Sequence, residues 1–466
     1  MIRNFFCAGL CLAMAAGTVV AQEAAGRSVD EKMWEILKAR GVLTDAEVVE
    51  LRAVKAKLES ESDLDSKIDG RVDEMTARLV QDAPKLSYKA GSGFGFKTAD
   101  GDFSLTIGGR LQTRFTHEIE DDDDGDLDTQ DDLPNFSQPR ARLWFKGNAF
   151  DPRLTYEFQF EVGGDLPKGT GSTAVTGVNF GASTSTSAAT TFTGSELLVE
   201  LKDAFLNYEI SGKALQVKTG QFKAPYSRHQ LTSAGRQMLV DRAPTDRFFV
   251  PGRNKGMTVW GVLGGEKDDL FEYYAGAFNG EGENALNNDE GLMWVGRLAV
   301  NPFGAVAYSE ADLRSDDNRG KLLAALGVNG WYHQDDSRSA NNTDSWSVGA
   351  DLTVAYAGVF ITAEAHYREN DRTTGPPNDM NLFGWFAEAG YNFTAEWNVS
   401  VRYAEVDWDR ETSQTASREY LVGVGYFWHE HNLKFQLDFG RVENHFLTTA
   451  SNDDDYVLRL QAQLIF

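Results

Sequence analysis

Seven cationic residues cluster in one stretch of an otherwise acidic chain. Between positions 223 and 255, Lys223, Arg228, Arg236, Arg242, Arg247, Arg253 and Lys255 stand against only Asp241 and Asp246, in a protein of formal net charge −25. Guanidinium groups stay charged at any working pH, and their paired N–H donors can replace part of an oxyanion's hydration shell. In a narrow passage walled by low-dielectric protein such a cluster focuses its field, while an acidic exterior is screened over about 8 Å at physiological salt. The local excess can therefore select anions where passage is decided. The competing reading is that these arginines pair with acids on a surrounding wall and only pin the segment.

The elements that must position this segment are strands. From Phe103 the apolar period is two: Phe103, Leu105, Ile107, Gly109, Leu111, Thr113 and Phe115 form one face, and Ser104, Thr106, Gly108, Arg110, Gln112 and Arg114 the other. The pattern recurs with starts near 103, 138, 154, 197, 215, 253, 270, 291, 321, 344, 358, 380, 396, 417, 431 and 453, which is sixteen strands, an even number as a single-chain bacterial barrel requires. Tight connections (Phe150 to Arg153, Ser211 to Ala214, Ala357-Gly358, Thr394 to Glu396) alternate with long ones (Glu118 to Phe136, Gly164 to Glu196, Ala224 to Gly252, Asp371 to Asp379), the asymmetry of short periplasmic turns and longer outer loops. Phe303 to Gly320 is long where a short turn is expected, and the alternation slips between Lys202 and Asp203.

A soluble propeller or sandwich also has many short strands. Its core would be dry, whereas here the inward set includes Arg110, Gln112 and Arg114, then Glu157, Gln159 and Glu161, then Arg459, Gln461 and Gln463. Such an interior must be wet. The final strand carries Tyr456, Leu458, Leu460, Ala462, Leu464 and Phe466 on one face, as outer-membrane insertion expects. The fold class is an all-β transmembrane barrel of about 16 antiparallel strands over 87–466, in the outer membrane of a Gram-negative bacterium, with a helical segment ahead of it.

Residues 1–21 read as a secretory signal peptide: Arg3, an apolar run from Phe5 to Val20, and Val19-Val20-Ala21 before Gln22. Both cysteines, Cys7 and Cys11, lie inside it, so a mature chain has neither disulfides nor a Cys-ligated metal. Residues 22–86 read as a helical coiled-coil arm in the periplasm. Thr44-Asp45-Ala46-Glu47 forms a capping box flanked by the staple pair Leu43 and Val48. Leu51, Val54, Leu58, Ile68, Val72, Met75 and Leu79 share one heptad register interrupted by Glu61 and Asp65, and Pro84 ends the run. An amphipathic helix packed on its own chain is the alternative.

Ten acids fall between Glu118 and Asp132. Glu120, Asp122, Asp124, Asp126, Asp128 and Asp131, with Gly125 sixth and Leu127 eighth, approximate a calcium loop, although the flanking helices and the twelfth-position Glu are missing; a solvated outer loop holding Ca2+ loosely competes. Apart from that ion no cofactor is expected. His429-Glu430-His431 is too short for a helical zinc pair and reads as a charged strand end or turn. No nucleophile elbow or phosphate-cradling glycine loop is present, which argues against an enzyme. The acidic balance argues against nucleic acid, and Gly169 to Gly194 reads as an outer loop.

Several motifs resemble the phosphate-selective porins of the O and P type: Ile107-Gly108-Gly109-Arg110-Leu111-Gln112, Pro139-Arg140-Ala141-Arg142-Leu143, Leu201-Lys202-Asp203-Ala204-Phe205-Leu206, Gly220-Gln221-Phe222-Lys223-Ala224-Pro225-Tyr226, Asp241-Arg242-Ala243 and Pro251-Gly252-Arg253-Asn254-Lys255-Gly256. The resemblance implies a homotrimer of sixteen-stranded barrels in outer-membrane lipid, with an inward third loop and phosphate or other small anions as solutes. It places Arg110, Arg140, Arg142, Arg242 and Arg253 in an arginine path, Lys223 in a lysine cluster and Asp203 as the pore carboxylate. Where that family often shows two adjacent arginines this chain has Pro139-Arg140, and its third-loop lysines are sparse. That departure points to a broader anion or polyphosphate preference. The expected function is a passive anion-selective channel; the alternative is a barrel that tethers the envelope through its helical arm.

Overall fold

The computed structural model describes residues 29–58, 71–76, 83–121, 133–163, 199–265, 268–288, 290–334, 343–372, 380–408, 416–445 and 453–466. The signal peptide, Ile68 and Leu79 of the heptad register, and the calcium-loop positions from Asp122 to Asp131 lie outside them. Two compact units emerge, Met1–Ala83 and Pro84–Phe466.

In the first unit, helix α1 spans Val29–Ala39 and α2 spans Asp45–Leu58, with further helix at 71–76. Gly41 stops α1 in the left-handed region at φ 68°. There Val42 N–H donates to Leu37 O and Gly41 N–H to Lys38 O, both at 3.0 Å, satisfying the last carbonyls of the helix. The capping box starts α2: Glu47 N–H reaches Thr44 Oγ1 at 3.4 Å, and Glu47 Oε2 accepts from Thr44 N–H at 2.7 Å. Leu51, Val54 and Met75 of the register are exposed. No described helix is long and apolar enough to cross a membrane.

The second unit begins with a hairpin, β1 Lys85–Lys89 and β2 Gly93–Lys97, additional to the sixteen strands expected from the alternation. Sixteen further strands follow: β3 Ser104–Asp121, β4 Leu133–Ala149, β5 Asp151–Glu161, β6 Glu200–Ser211, β7 Leu215–Lys223, β8 Arg253–Gly265, β9 Asp268–Phe278, β10 Met293–Val300, β11 Leu323–His333, β12 Thr343–Tyr356, β13 Val359–Arg372, β14 Met380–Asn392, β15 Trp397–Trp408, β16 Ala416–His431, β17 Leu433–His445 and β18 Asp453–Ile465. Each pairs antiparallel with the next, and β18 returns to β3 from Asp454↔Asp121 to Ile465↔Arg110. Closure leaves these sixteen strands without an edge, so their backbone groups are satisfied without water. The hairpin continues this wall. Phe466 exchanges two 3.0 Å backbone hydrogen bonds with Gly109, and beyond that point β2 takes over as partner of β3, from Phe94↔Ile107 to Lys97↔Ser104.

Alternation separates lipid from lumen. In β15 and β16, Val399, Val401, Val422 and Val424 are exposed while Ser400, Arg402, Ser417 and Glu419 are buried. Tyr403 faces Tyr420 across the pair with rings 5.0 Å apart, and Trp397 stands 4.8 Å from Tyr426 nearer the other end, as aromatic residues do at the two membrane interfaces. The slip at Lys202 is a β-bulge: Gln159 pairs with Asp203 but Phe160 with Leu201. A second bulge separates Gln112↔Arg140 from Arg114↔Ser137, next to Pro139, where proline is tolerated in a sheet.

Residues 301–322, the exception on the short-turn side, enter the barrel. They carry a helical turn at Asp316–Arg319, bury Val306, Glu310 and Asp312, and meet the 224–252 loop, where Glu310 N–H donates to Arg236 O at 2.9 Å.

Candidate functional site

The 224–252 loop leaves β7 and returns to β8 through a pinched neck, Ala224 N–H to Gly252 O at 2.9 Å. Its inner residues Tyr226, His229, Met238, Leu239, Val240 and Phe249 are buried. The far wall holds it at many points. Tyr226 Oη lies 2.7 Å from Ser347 Oγ, Ser227 Oγ donates to Glu364 at 2.6 Å, Trp331 Nε1 donates to Phe249 O at 2.9 Å, Arg402 Nη1 to Asp241 O at 2.7 Å and Gln463 Nε2 to Gly235 O at 2.8 Å. Ser227 sits at φ 41°, a strained value for a residue with a Cβ. Its side chain compensates by also accepting from Gln230 N–H at 3.1 Å. The loop therefore crosses the lumen, and one half of the interior at this level is filled by its contacts with β11–β18.

On the other side, between the loop and β4–β8, lies a cavity of about 410 Å³. Arg140 and Arg142 reach it from β4, Glu157 and Gln159 from β5, Asp203 from β6, Lys218 and Lys223 from β7, Arg253 from β8 and Arg242 from the loop. Among the described residues six cations face two carboxylates. Arg253 grips Asp203 with two hydrogen bonds of 3.0 and 2.8 Å, and Arg142 Nε pairs with Glu161. Lys223 and Arg242 hold the loop's own carbonyls, with Arg242 Nη2 on Thr232 O at 2.6 Å and Nε on His229 O at 3.1 Å. Arg140 is less committed, with Gln112 at 3.1 Å and Asp241 at 3.7 Å. Lys218 lies over the rings of Phe205, Phe222 and Trp260.

The other cations expected in the pathway go elsewhere. Arg110 is buried and donates to Ser233 Oγ at 3.1 Å, behind the cavity wall. Arg228 turns to Val306 O and Ala307 O at 2.8 and 2.9 Å and stacks 4.3 Å from the Tyr308 ring. Lys255 reaches Asn284 O at 3.2 Å. Arg236 and Arg247 are exposed, the latter 5.8 Å from the Phe248 ring. Lys218 and Glu157 join the cavity from outside the basic segment, and strand alternation with Gln216 and Gln159 is the signal that places them inward. Among the described residues of the calcium loop, Glu120 belongs to the end of β3.

Asp241 is held by a ring of arginines: Arg114 in bidentate fashion at 2.6 and 2.9 Å, Arg459 at 3.6 Å and Arg140 at 3.7 Å. Burial pushes its carboxyl up, but Arg114 and Arg140, with Arg459 behind them, outweigh it and hold the group well below the ordinary carboxylate range. A depressed folded pKa contributes stability above the unfolded value of about 3.9, lost only as pH falls through the folded value. The unfolding midpoint of Asp241→Asn is thus expected below the native one by a constant gap from pH 7 to about 5, narrowing progressively in stronger acid. A gap that closes above pH 5 contradicts the assignment.

Residues 106–466 match the family described as phosphate-selective porin O and P. The chain belongs to that family. It is an outer-membrane porin, a channel protein built on the closed sixteen-stranded barrel described above. Among solved structures it is similar to an anion-selective porin from Comamonas acidovorans, at 12% identity over 78% of this chain and 100% of that one with a TM-score of 0.51. The outer membrane channel DcaP of Acinetobacter baumannii is similar at 12% identity over 80% and 100%, also with a TM-score of 0.51. At these identities the likeness is one of fold. No curated protein matches the sequence.

Proposed function

We propose that this porin is a passive, anion-selective channel for phosphate and related oxyanions, with its selecting step at the cavity between the 224–252 loop and β4–β8. The observation that carries this reading is the lining itself, six cations against two carboxylates within about 410 Å³. An anion entering it finds guanidinium and ammonium donors in place of hydration water, in a space narrow enough to focus their field. Because Asp203 and Glu161 already engage Arg253 and Arg142, the free donors are few. That composition suits brief, exchangeable binding of several oxyanions better than tight retention of one. The anion selectivity named for the Comamonas porin of similar fold is consistent with it. The exposed Leu51, Val54 and Met75 support an associating, coiled-coil arm in the periplasm, and trimeric assembly follows the family resemblance.

In planar bilayers under a potassium chloride gradient, the reversal potential is expected to take the sign of chloride permeation, and millimolar phosphate is expected to lower chloride conductance. A cation-signed potential rejects the anion reading. Chloride current indifferent to phosphate rejects the oxyanion preference alone.

A further inference from the structure

Among the described residues one group of three side chains could share a metal ion: His229 of the loop, Glu310 of the inward 301–322 connection and Glu388 of β14, with ligand atoms within 4.8 Å of one another. We propose that these three side chains bind one divalent transition-metal ion of the zinc class, which staples the constricting loop to both the barrel wall and the 301–322 connection.

The geometry favours an ion over a hydrogen-bonded cluster. His229 Nε2 stands 3.4 Å from Glu310 Oε1 and makes no hydrogen bond there. Two ligands about 2.1 Å from a tetrahedral ion are roughly 3.4 Å apart, so this edge is already at coordination spacing. Each carboxylate spends one oxygen on the protein and leaves the other for the site. Glu310 Oε2 accepts from Met238 N–H at 2.8 Å while its Oε1 faces the imidazole. Glu388 Oε2 meets Arg402 Nη1 at 3.3 Å while its Oε1 has no partner.

All three are enclosed, at 2, 3 and 1% exposure, where an unpartnered polar atom is costly. Arg402 is also shared with Glu419 at 2.7 Å, so one guanidinium serves two carboxylates, and Lys434, whose charge also reaches Glu310, spends its ammonium on Gln237 O at 2.7 Å. A divalent ion supplies the missing charge. One imidazole with two carboxylate oxygens suits zinc and its first-row neighbours, whereas calcium demands six or more oxygens.

The test uses the full chain, folded in detergent, stripped by a chelator and titrated with zinc chloride in a calorimeter. Excess calcium is kept in the buffer to compete for exposed carboxylates. One zinc per chain is expected, with affinity falling more than about 100-fold in both Glu310→Gln and Glu388→Gln, beyond the cost of losing an outer-shell partner. Retained heat-modifiable migration on electrophoresis shows that a variant barrel has folded. If one does not fold, zinc-edge X-ray absorption on the native protein decides instead, with a single imidazole nitrogen among oxygens expected. Absence of stoichiometric zinc, affinity unchanged in both variants, or an all-oxygen shell overturns the proposal.

Discussion

Replacing Lys218 and Arg140 together by glutamate is expected to invert the channel's preference from anions to cations. The pair is chosen because neither side chain pins the loop's carbonyls as Lys223 and Arg242 do, and Arg140 meets its carboxylate, Asp241, only at 3.7 Å, whereas Arg253 and Arg142 are locked to theirs. The double reversal turns a lining of six cations and two carboxylates into one with equal numbers of each sign. An ion 4 to 8 Å from a unit charge in water-like surroundings feels about 0.5 to 1 kcal/mol. Four units of charge change near the passing ion therefore amount to at least about 2 kcal/mol, more than the 1.4 kcal/mol that makes tenfold in a ratio. The anion-to-cation permeability ratio should fall by more than about tenfold in roughly 0.1 M salt, where the Debye length is about 10 Å, and by less in 1 M salt. An unchanged reversal potential in the folded variant would place the selecting step outside this cavity.

The barrel wall and the cavity differ in how far sequence reveals them. The strands are legible because a barrel wall imposes one local rule, lipid on one face and lumen on the other, which Val399 to Arg402 obey residue by residue. Even the defect at Lys202 is visible as a break in period, and it is a bulge. The β1–β2 hairpin is not legible. Its two strands are five residues each, too short for a period to stand out, and its role depends on where β18 stops alongside β3. The site divides similarly. A charge excess marks the whole segment from Lys223 to Lys255, but only the path of the loop decides which cations reach the cavity. Arg228 is drawn away by Tyr308, a contact between distant segments with no local signature, while Lys218 enters from a neighbouring strand. The grouping of His229, Glu310 and Glu388 likewise exists only after closure, since it joins a loop, a turn and a wall strand.

Breaking the Arg297–Asp351 pair is expected to be the most destabilising single change in the lumen wall. The two side chains are fully enclosed and joined by two hydrogen bonds, Nη1 to Oδ2 at 2.5 Å and Nη2 to Oδ1 at 2.9 Å. They belong to β10 and β12, which are not neighbours, so the pair must bridge over β11. Gly327 makes room for it: a Cβ there would collide with the Asp351 carboxylate and the Arg297 guanidinium. Arg297→Met leaves the carboxylate with only Asn329, at 3.4 Å, and a buried charge stripped of its partner costs about 3 to 5 kcal/mol. The denaturant midpoint of the folded barrel should drop accordingly. The double change Arg297→Met with Asp351→Leu removes the orphaned charge and should recover most of the loss, because apolar pairs of similar volume often replace a buried ion pair without penalty. Neither residue lines the cavity, so the double variant should keep the native reversal potential. A double variant as unstable as the single one would mean that the pair holds more than each other, and that the polar lumen wall depends on this bridge for its register.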